Sequence, residues 1–119
     1  MMTLMPNADV LLSRVVSEWN SGDHYAAHET LEDFADAIED DDREHTIALA
    51  LLHIAAALHK LLHDVGASAV PAKLDRALHD LKGAPDEWRG LKLSKLRDEV
   101  AALNERLRKH EPPEPIPTL

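Results

Sequence analysis

The stretch from His45 to Val65 constrains the fold more than any other part of the sequence. Between Thr46 and Leu58 it carries no Asp, Glu, Lys or Arg, and only His53 interrupts the apolar and small residues. A helix that is apolar on nearly all sides is usually buried by several neighbours. We therefore expect this stretch to form a central helix, covered by the amphipathic segments that precede and follow it.

Apolar residues recur at helical spacing along most of the remaining chain, and the sequence lacks the alternation that is typical of strands. The sequence thus predicts an all-α fold, a single-domain bundle of about five helices around a buried central helix (about 43–65). The predicted helices run from about Ala8 to Asn20, His24 to Glu39, Arg43 to Val65, Val70 to Lys82 and Ser94 to Lys109.

Local signals mark where these helices begin. Asn7 and Asp23 are the expected N-caps of the first two helices, and Ser94 is the expected cap of the last. Asp41 and Glu44 have the spacing of a capping box at the start of the central helix.

Two segments outside the helices are rich in proline or glycine. The connector from Gly83 to Gly90 contains Trp88, which we expect to plug one end of the bundle. Residues 110–119 include four prolines and are expected to be extended or disordered, with a proline-rich docking peptide as an alternative. The predicted organisation is a helical domain over 1–109 followed by this tail.

Composition narrows the classes of partner. The formal charge is −9, from 22 acidic and 13 basic residues, which opposes binding to nucleic acid or to an anionic membrane surface. The longest uncharged run is shorter than the ~20 residues that span a bilayer. Without cysteine, disulfides, thiol catalysis and thiolate zinc sites are excluded. We expect a cytoplasmic protein without nucleic-acid or membrane partners.

Histidine is abundant, with eight residues, and four of them form pairs at i, i+4 spacing. His24 and His28 make one pair, which Glu32 extends by a turn, and His59 and His63 make the other. This spacing places side chains on one helix face, as metal ligation requires. If the second and third helices pack antiparallel, the first pair can approach the central helix.

Two interpretations of these residues remain open. In the first, a buried hydrogen-bonded network fixes the register of the helices without binding a ligand; its members are His28, Glu32, His53 and His59. In the second, the side chains hold a divalent metal or a small ligand; the metal candidates are His24, His28, Glu32, His53 and His59.

The segment Trp19–Glu32, WNSGDHYAAHETLE, resembles the signature of the small bacterial and archaeal proteins called domain of unknown function 309. The block Ala50–His59, ALLHIAAALH, is similar to the second block of that family, with His53 where Gln is usual. The resemblance extends over roughly Val15 to Leu107. It implies an all-helical bundle and no particular activity, and it implies a shared polar cluster of His28, Glu32 and His59.

The functional hypotheses follow from these observations. A zincin motif would need His at the position of Glu32, and no other complete catalytic template is present. We therefore expect a non-catalytic module that binds an unknown protein partner or itself. The alternative is a metal- or small-ligand-binding protein, which could be hydrolytic, and a third hypothesis is pH sensing by the histidines.

Overall fold

The computed structural model of the protein describes residues 7–38, 41–63 and 67–119, and it confirms the all-α bundle. Five α-helices and one two-stranded hairpin make up the regular structure of these ranges. The elements are α1 (Ala8–Asn20), α2 (His24–Ala37), α3 (Asp42–His63), a 3-10 turn (Ala67–Ala69), α4 (Val70–Leu81), β1 (Glu87–Trp88), β2 (Leu91–Lys92) and α5 (Leu93–Arg108).

The first three helices begin at the predicted N-caps, although the Glu44 side chain bonds Arg89 and does not complete the predicted capping box. The side chain of Asn7 accepts a hydrogen bond from Val10 N at 2.9 Å, and Asp23 accepts one from Ala26 N at 3.1 Å. Asp41 accepts bonds from the first backbone N–H groups of α3, including that of Glu44 at 3.1 Å. Each cap satisfies N–H groups that have no partner inside the helix.

Some predicted helix ends differ from the structure or lie outside it. The last helix begins at Leu93 without a side-chain cap, so the prediction that Ser94 caps it is wrong. The predicted ends of the second and third helices, Glu39 and Val65, lie outside the described residues. Between α2 and α3, the N–H of Asp41 donates to the carbonyl of Ile38 at 3.1 Å.

Helix α3 lies in the middle of a row in which each helix packs against the next one in the chain. Alanines on α3, such as Ala50 and Ala57, have no exposed surface, which allows its neighbours to approach closely. By length and composition alone α3 could cross a membrane, with a mean hydropathy of 1.5 over its most apolar window. That is weak evidence, because the core helix of a bundle has the same properties.

The connector before α5 contains a short β-hairpin that the sequence analysis missed. Trp88 pairs with Leu91 across a tight turn in which Arg89 and Gly90 both have positive φ, +48° and +82°. This is the backbone of a type I′ turn, for which Asn-Gly is the usual sequence signal and Arg-Gly is not. Trp88 is buried and meets the ring of Phe34 edge-on, with centroids 5.7 Å apart.

The C-terminal residues are extended, as expected, but they are not separate from the bundle. Pro117 is buried, and Ile116 and Leu119 pack against the hydrophobic core. Side chains of α1 and α5 hydrogen-bond to the tail, beginning with Trp19 Nε1, which donates to the carbonyl of Pro117 at 3.0 Å. In this structure the tail is therefore packed against the bundle.

Candidate functional site

The short connection between α2 and α3 makes them an antiparallel hairpin, so the start of α2 lies beside the end of α3. The rings of Tyr25 and His59 confirm this arrangement, with centroids 5.2 Å apart. The hairpin therefore brings the two i, i+4 histidine pairs to the same end of the bundle. What their side chains do there differs from residue to residue.

His28 and Glu32 interact, but at the surface. His28 Nε2 lies 3.3 Å from Glu32 Oε1, and the side chains are 25% and 58% exposed. The contact joins consecutive turns of one helix, where such pairs contribute a few tenths of a kcal/mol. It differs from the buried network that the sequence predicted, because α2 turns Glu32 toward solvent.

His59 takes part in a stack of rings at the end of the hairpin. Its ring centroid lies 4.3 Å from that of His63, and Tyr25 lies 6.2 Å from His28 on the same side. His63 Nδ1 is 3.0 Å from the carbonyl oxygen of His59, which orients the His63 ring. We call Tyr25, His28, His59 and His63 the imidazole–tyrosine surface; Tyr25 is 52% exposed.

His24 lies beneath this surface and is buried. Its ring meets Trp19 edge-on at 5.9 Å, and its Nδ1 has no hydrogen-bond partner among the described residues. Burial lowers the pKa of His24, the carboxylate of Asp23 opposes that shift, and the neighbouring His59 and His63 add to it. A neutral imidazole is therefore favoured at this position.

His53 faces a different part of the bundle from His59. The two residues are six positions apart, which is about 240° around an α-helix. Burial lowers the pKa of His53, and charges on α4 act on it next: Arg76 lowers it and Asp80 raises it. His28 also lowers the pKa of His53, so His53 lies within electrostatic range of both α4 and α2. Among the described residues, no hydrogen bond or ion pair joins His53 to His59 or Glu32.

The structure offers little support for a metal centre at the predicted residues. Within residues 7–38, 41–63 and 67–119, no three His, Asp or Glu side chains are placed so that they could share a metal ion. The Nδ1 atoms of His28 and His53 are buried and, like that of His24, have no partner in these ranges. The five candidates therefore form separate contacts rather than one coordination site.

Two polar features escaped the sequence analysis. The carboxylate of Glu44 accepts bonds from Trp88 Nε1 at 3.1 Å and from Arg89 Nε at 2.6 Å, which joins the hairpin to α3. Asn20 and Trp19 bind the tail. Trp19 and Asn20 stand at the start of the family motif, which could have marked them as important. The motif does not show that their partner is the tail.

Comparison with known proteins finds a family model that matches part of the chain. Residues 12–70 match the family model described as Domain of unknown function (DUF309), whereas the expected resemblance ran on to Leu107. No curated protein and no solved structure shows significant similarity to the chain. The matched segment contains the whole of α2 and α3 and therefore the imidazole–tyrosine surface. Through residues 12–70, just under half of its length, the chain matches the DUF309 family, in agreement with the resemblance seen in its sequence.

Proposed function

We propose that this protein is a non-catalytic helical module that binds a protein partner, or a second copy of itself, through the imidazole–tyrosine surface. The observation that carries the proposal is the position of Tyr25, which is half exposed yet held over His59. Tyrosine is enriched among the residues that dominate binding energy at interfaces, because its ring is large, rigid and amphipathic. Leu62, which is 44% exposed, adds apolar area in the same last turns of α3.

Variants at two matched positions test self-association. Val10, on α1, is 49% exposed and serves as the control for Tyr25. We expect sedimentation velocity over rising concentration to show weaker association for Tyr25→Ser than for the wild type, and no change for Val10→Ser. Equal effects of the two substitutions would contradict self-association through the imidazole–tyrosine surface.

A photocrosslinking amino acid tests binding to another protein. Placed at position 25 in the native host, it should give a discrete adduct that is absent when the same amino acid is placed at position 10. Competition with excess unlabelled wild-type protein should remove the adduct, and Tyr25→Ser protein should compete less well. Identical adduct patterns from the two positions would contradict the proposal.

The alternative function, a site for a divalent metal or a small ligand, has one observation in its favour. Buried imidazole nitrogens without a partner among the described residues are available for a ligand, and His24 is the most buried example. Elemental analysis of protein purified without chelators decides between the two. Stoichiometric metal that is lost in His24→Gln and His59→Gln would replace the interaction proposal with this one.

A further inference from the structure

The tail of the chain is held at a second site, between α1 and α5. Asn20 Nδ2 donates to the main-chain oxygen of Leu119 at 2.9 Å, and Asn20 Oδ1 accepts from the backbone N–H of the same residue at 2.9 Å. Glu99, on α5, accepts from Thr118 N at 3.1 Å. Together with Trp19 and Pro117, these bonds hold three consecutive residues of an extended segment between α1 and α5.

These bonds recognise the backbone rather than particular side chains. An Asn carboxamide that pairs with both the N–H and the C=O of one residue reads an extended peptide whatever its sequence, as an added β-strand would. The indole bond of Trp19 also ends on a carbonyl. Lys95 makes a side-chain bond to this segment, from its Nζ to Thr118 Oγ1 at 3.2 Å.

Thr118 and Leu119 of the tail lie beside a larger groove. A groove of about 850 Å³ runs along α1 from Leu119 toward Asp9 and Arg89, and only Thr118 and Leu119 of the tail reach it. Its apolar lining residues, apart from the tail, are Leu12, Val16 and Leu91, and its polar ones include Ser13, Ser17 and Lys92. A longer extended segment bound as the tail is bound would continue into this groove.

We propose that Trp19, Asn20 and Glu99 form a peptide-binding site for an extended, proline-containing segment of a partner protein, and that residues 117–119 occupy this site in cis as a competitor. The turn that directs the tail back onto the bundle has His110 at a φ of +57°, a conformation that costs a residue with a side chain energy. Its prolines keep a released tail extended, so it can leave and return without refolding.

The test uses the full-length protein and a fluorescent synthetic peptide with the sequence of residues 110–119. Ile116→Asp places a charge on a half-buried tail residue and so weakens binding in cis. Because a tethered competitor acts at roughly millimolar effective concentration, we expect the peptide to bind Ile116→Asp at least tenfold more tightly than the wild type. Thr118→Pro, which removes the N–H donated to Glu99, should act in the same direction.

Variants of the site supply the controls. Adding Asn20→Ala to Ile116→Asp removes two hydrogen bonds and should weaken peptide binding about tenfold or more. Arg14→Ala, at an exposed position of the same helix, should leave binding unchanged. A peptide lengthened by two leucines after the position of Leu119 should bind about tenfold more tightly, because it reaches the groove. Tyr25→Ser should have no effect, which separates this proposal from the previous one.

The indole N–H resonance of Trp19 reports whether the site is open. It should shift in Ile116→Asp and Thr118→Pro and return when the peptide is added. If it shifts in neither variant, the tail is a fixed part of the fold and the proposal is wrong. Failure of the peptide to bind an opened site, or binding that is insensitive to Asn20→Ala, would also overturn it. A wild-type dimer formed by exchange of tails would assign the site to a second copy instead.

Discussion

His24 combines nearly complete burial with a ring nitrogen that has no partner among the described residues. Burial lowers its pKa below the ordinary value of 6.5, so the unfolded chain binds the proton more tightly than the folded one. The free energy of unfolding should therefore fall as the pH falls below about 6.5, and level off below the pKa of the folded state. Burial also lowers the pKa of His53, which acts in the same direction.

Urea unfolding between pH 5 and 8 measures this dependence. We expect His24→Leu to reduce the slope without abolishing it, since His53 remains, and to raise the free energy of unfolding at pH 5.5 by about 1–2 kcal/mol. His79→Gln, at an exposed position of α4, is the matched control and should leave the slope in place. A wild-type protein whose stability is flat from pH 8 to pH 5 would contradict the prediction.

The predicted site residues show which side-chain contacts can be predicted from residue spacing and which cannot. Spacing of i, i+4 correctly brought His28 to Glu32 and His59 to His63. Helical geometry alone argued against His53 and His59 sharing a face, because six residues turn a helix well away from its starting direction. Spacing could not predict how deeply each side chain is buried, since burial depends on how α4 and the β-hairpin cover the central helices.

The hairpin of β1 and β2 is attached to α3 and α1 through two carboxylates, those of Glu44 and Asp9. Arg89 donates to both oxygens of Glu44, from Nε at 2.6 Å and from Nη2 at 3.0 Å, and the two side chains are 27% and 24% exposed. Arg89 also reaches Asp9 on α1 at 3.0 Å. The bond from Arg89 is the main cause of a lowered pKa for Glu44; burial opposes it and Trp88 reinforces it.

Glu44→Gln should lower the free energy of unfolding by about 1–2 kcal/mol at pH 7, because it weakens a partly shielded, bidentate ion pair. The folded-state pKa of Glu44 lies below its ordinary value of 4.5, so this contribution is complete above that pH and is lost as the pH falls through the folded-state value. Chemical denaturation of both proteins at pH 7 and pH 3 measures the change. Glu87→Gln, exposed in the same hairpin, should differ little from the wild type at either pH.

Helix starts were predictable where a capping residue in the sequence also caps the helix in the folded structure. The starts of α1 and α2 follow from Asn7 and Asp23, which cap them as expected. Glu44 has the sequence position of a capping-box residue, but its side chain bonds Arg89, which lies 45 residues away. Local patterns reveal that a carboxylate is present near a helix start; only tertiary structure decides which of the competing donors it accepts.

At the scale of the whole molecule, the row of helices has two ends, α1 and α5, and the tail lies between them. Two of the residues that hold it, Trp19 and Asn20, lie almost a hundred positions away from their partners in the tail. A local reading of four prolines predicts an extended chain and contains no information about such distant partners. The contacts that form the candidate peptide site therefore also join the first helix to the last one through the tail.

Deletion of residues 110–119 should lower the free energy of unfolding by about 2–4 kcal/mol. It exposes apolar surface that Pro117 and Leu119 cover, and it leaves the indole N–H of Trp19 without its acceptor. Because Trp19 is only 1% exposed in the intact chain, its fluorescence should shift to longer wavelength and become accessible to iodide. Glu114→Gln, an exposed change within the intact tail, should leave stability and emission unaltered. A truncated protein as stable as the full chain, with Trp19 still shielded, would show that the tail does not close the bundle.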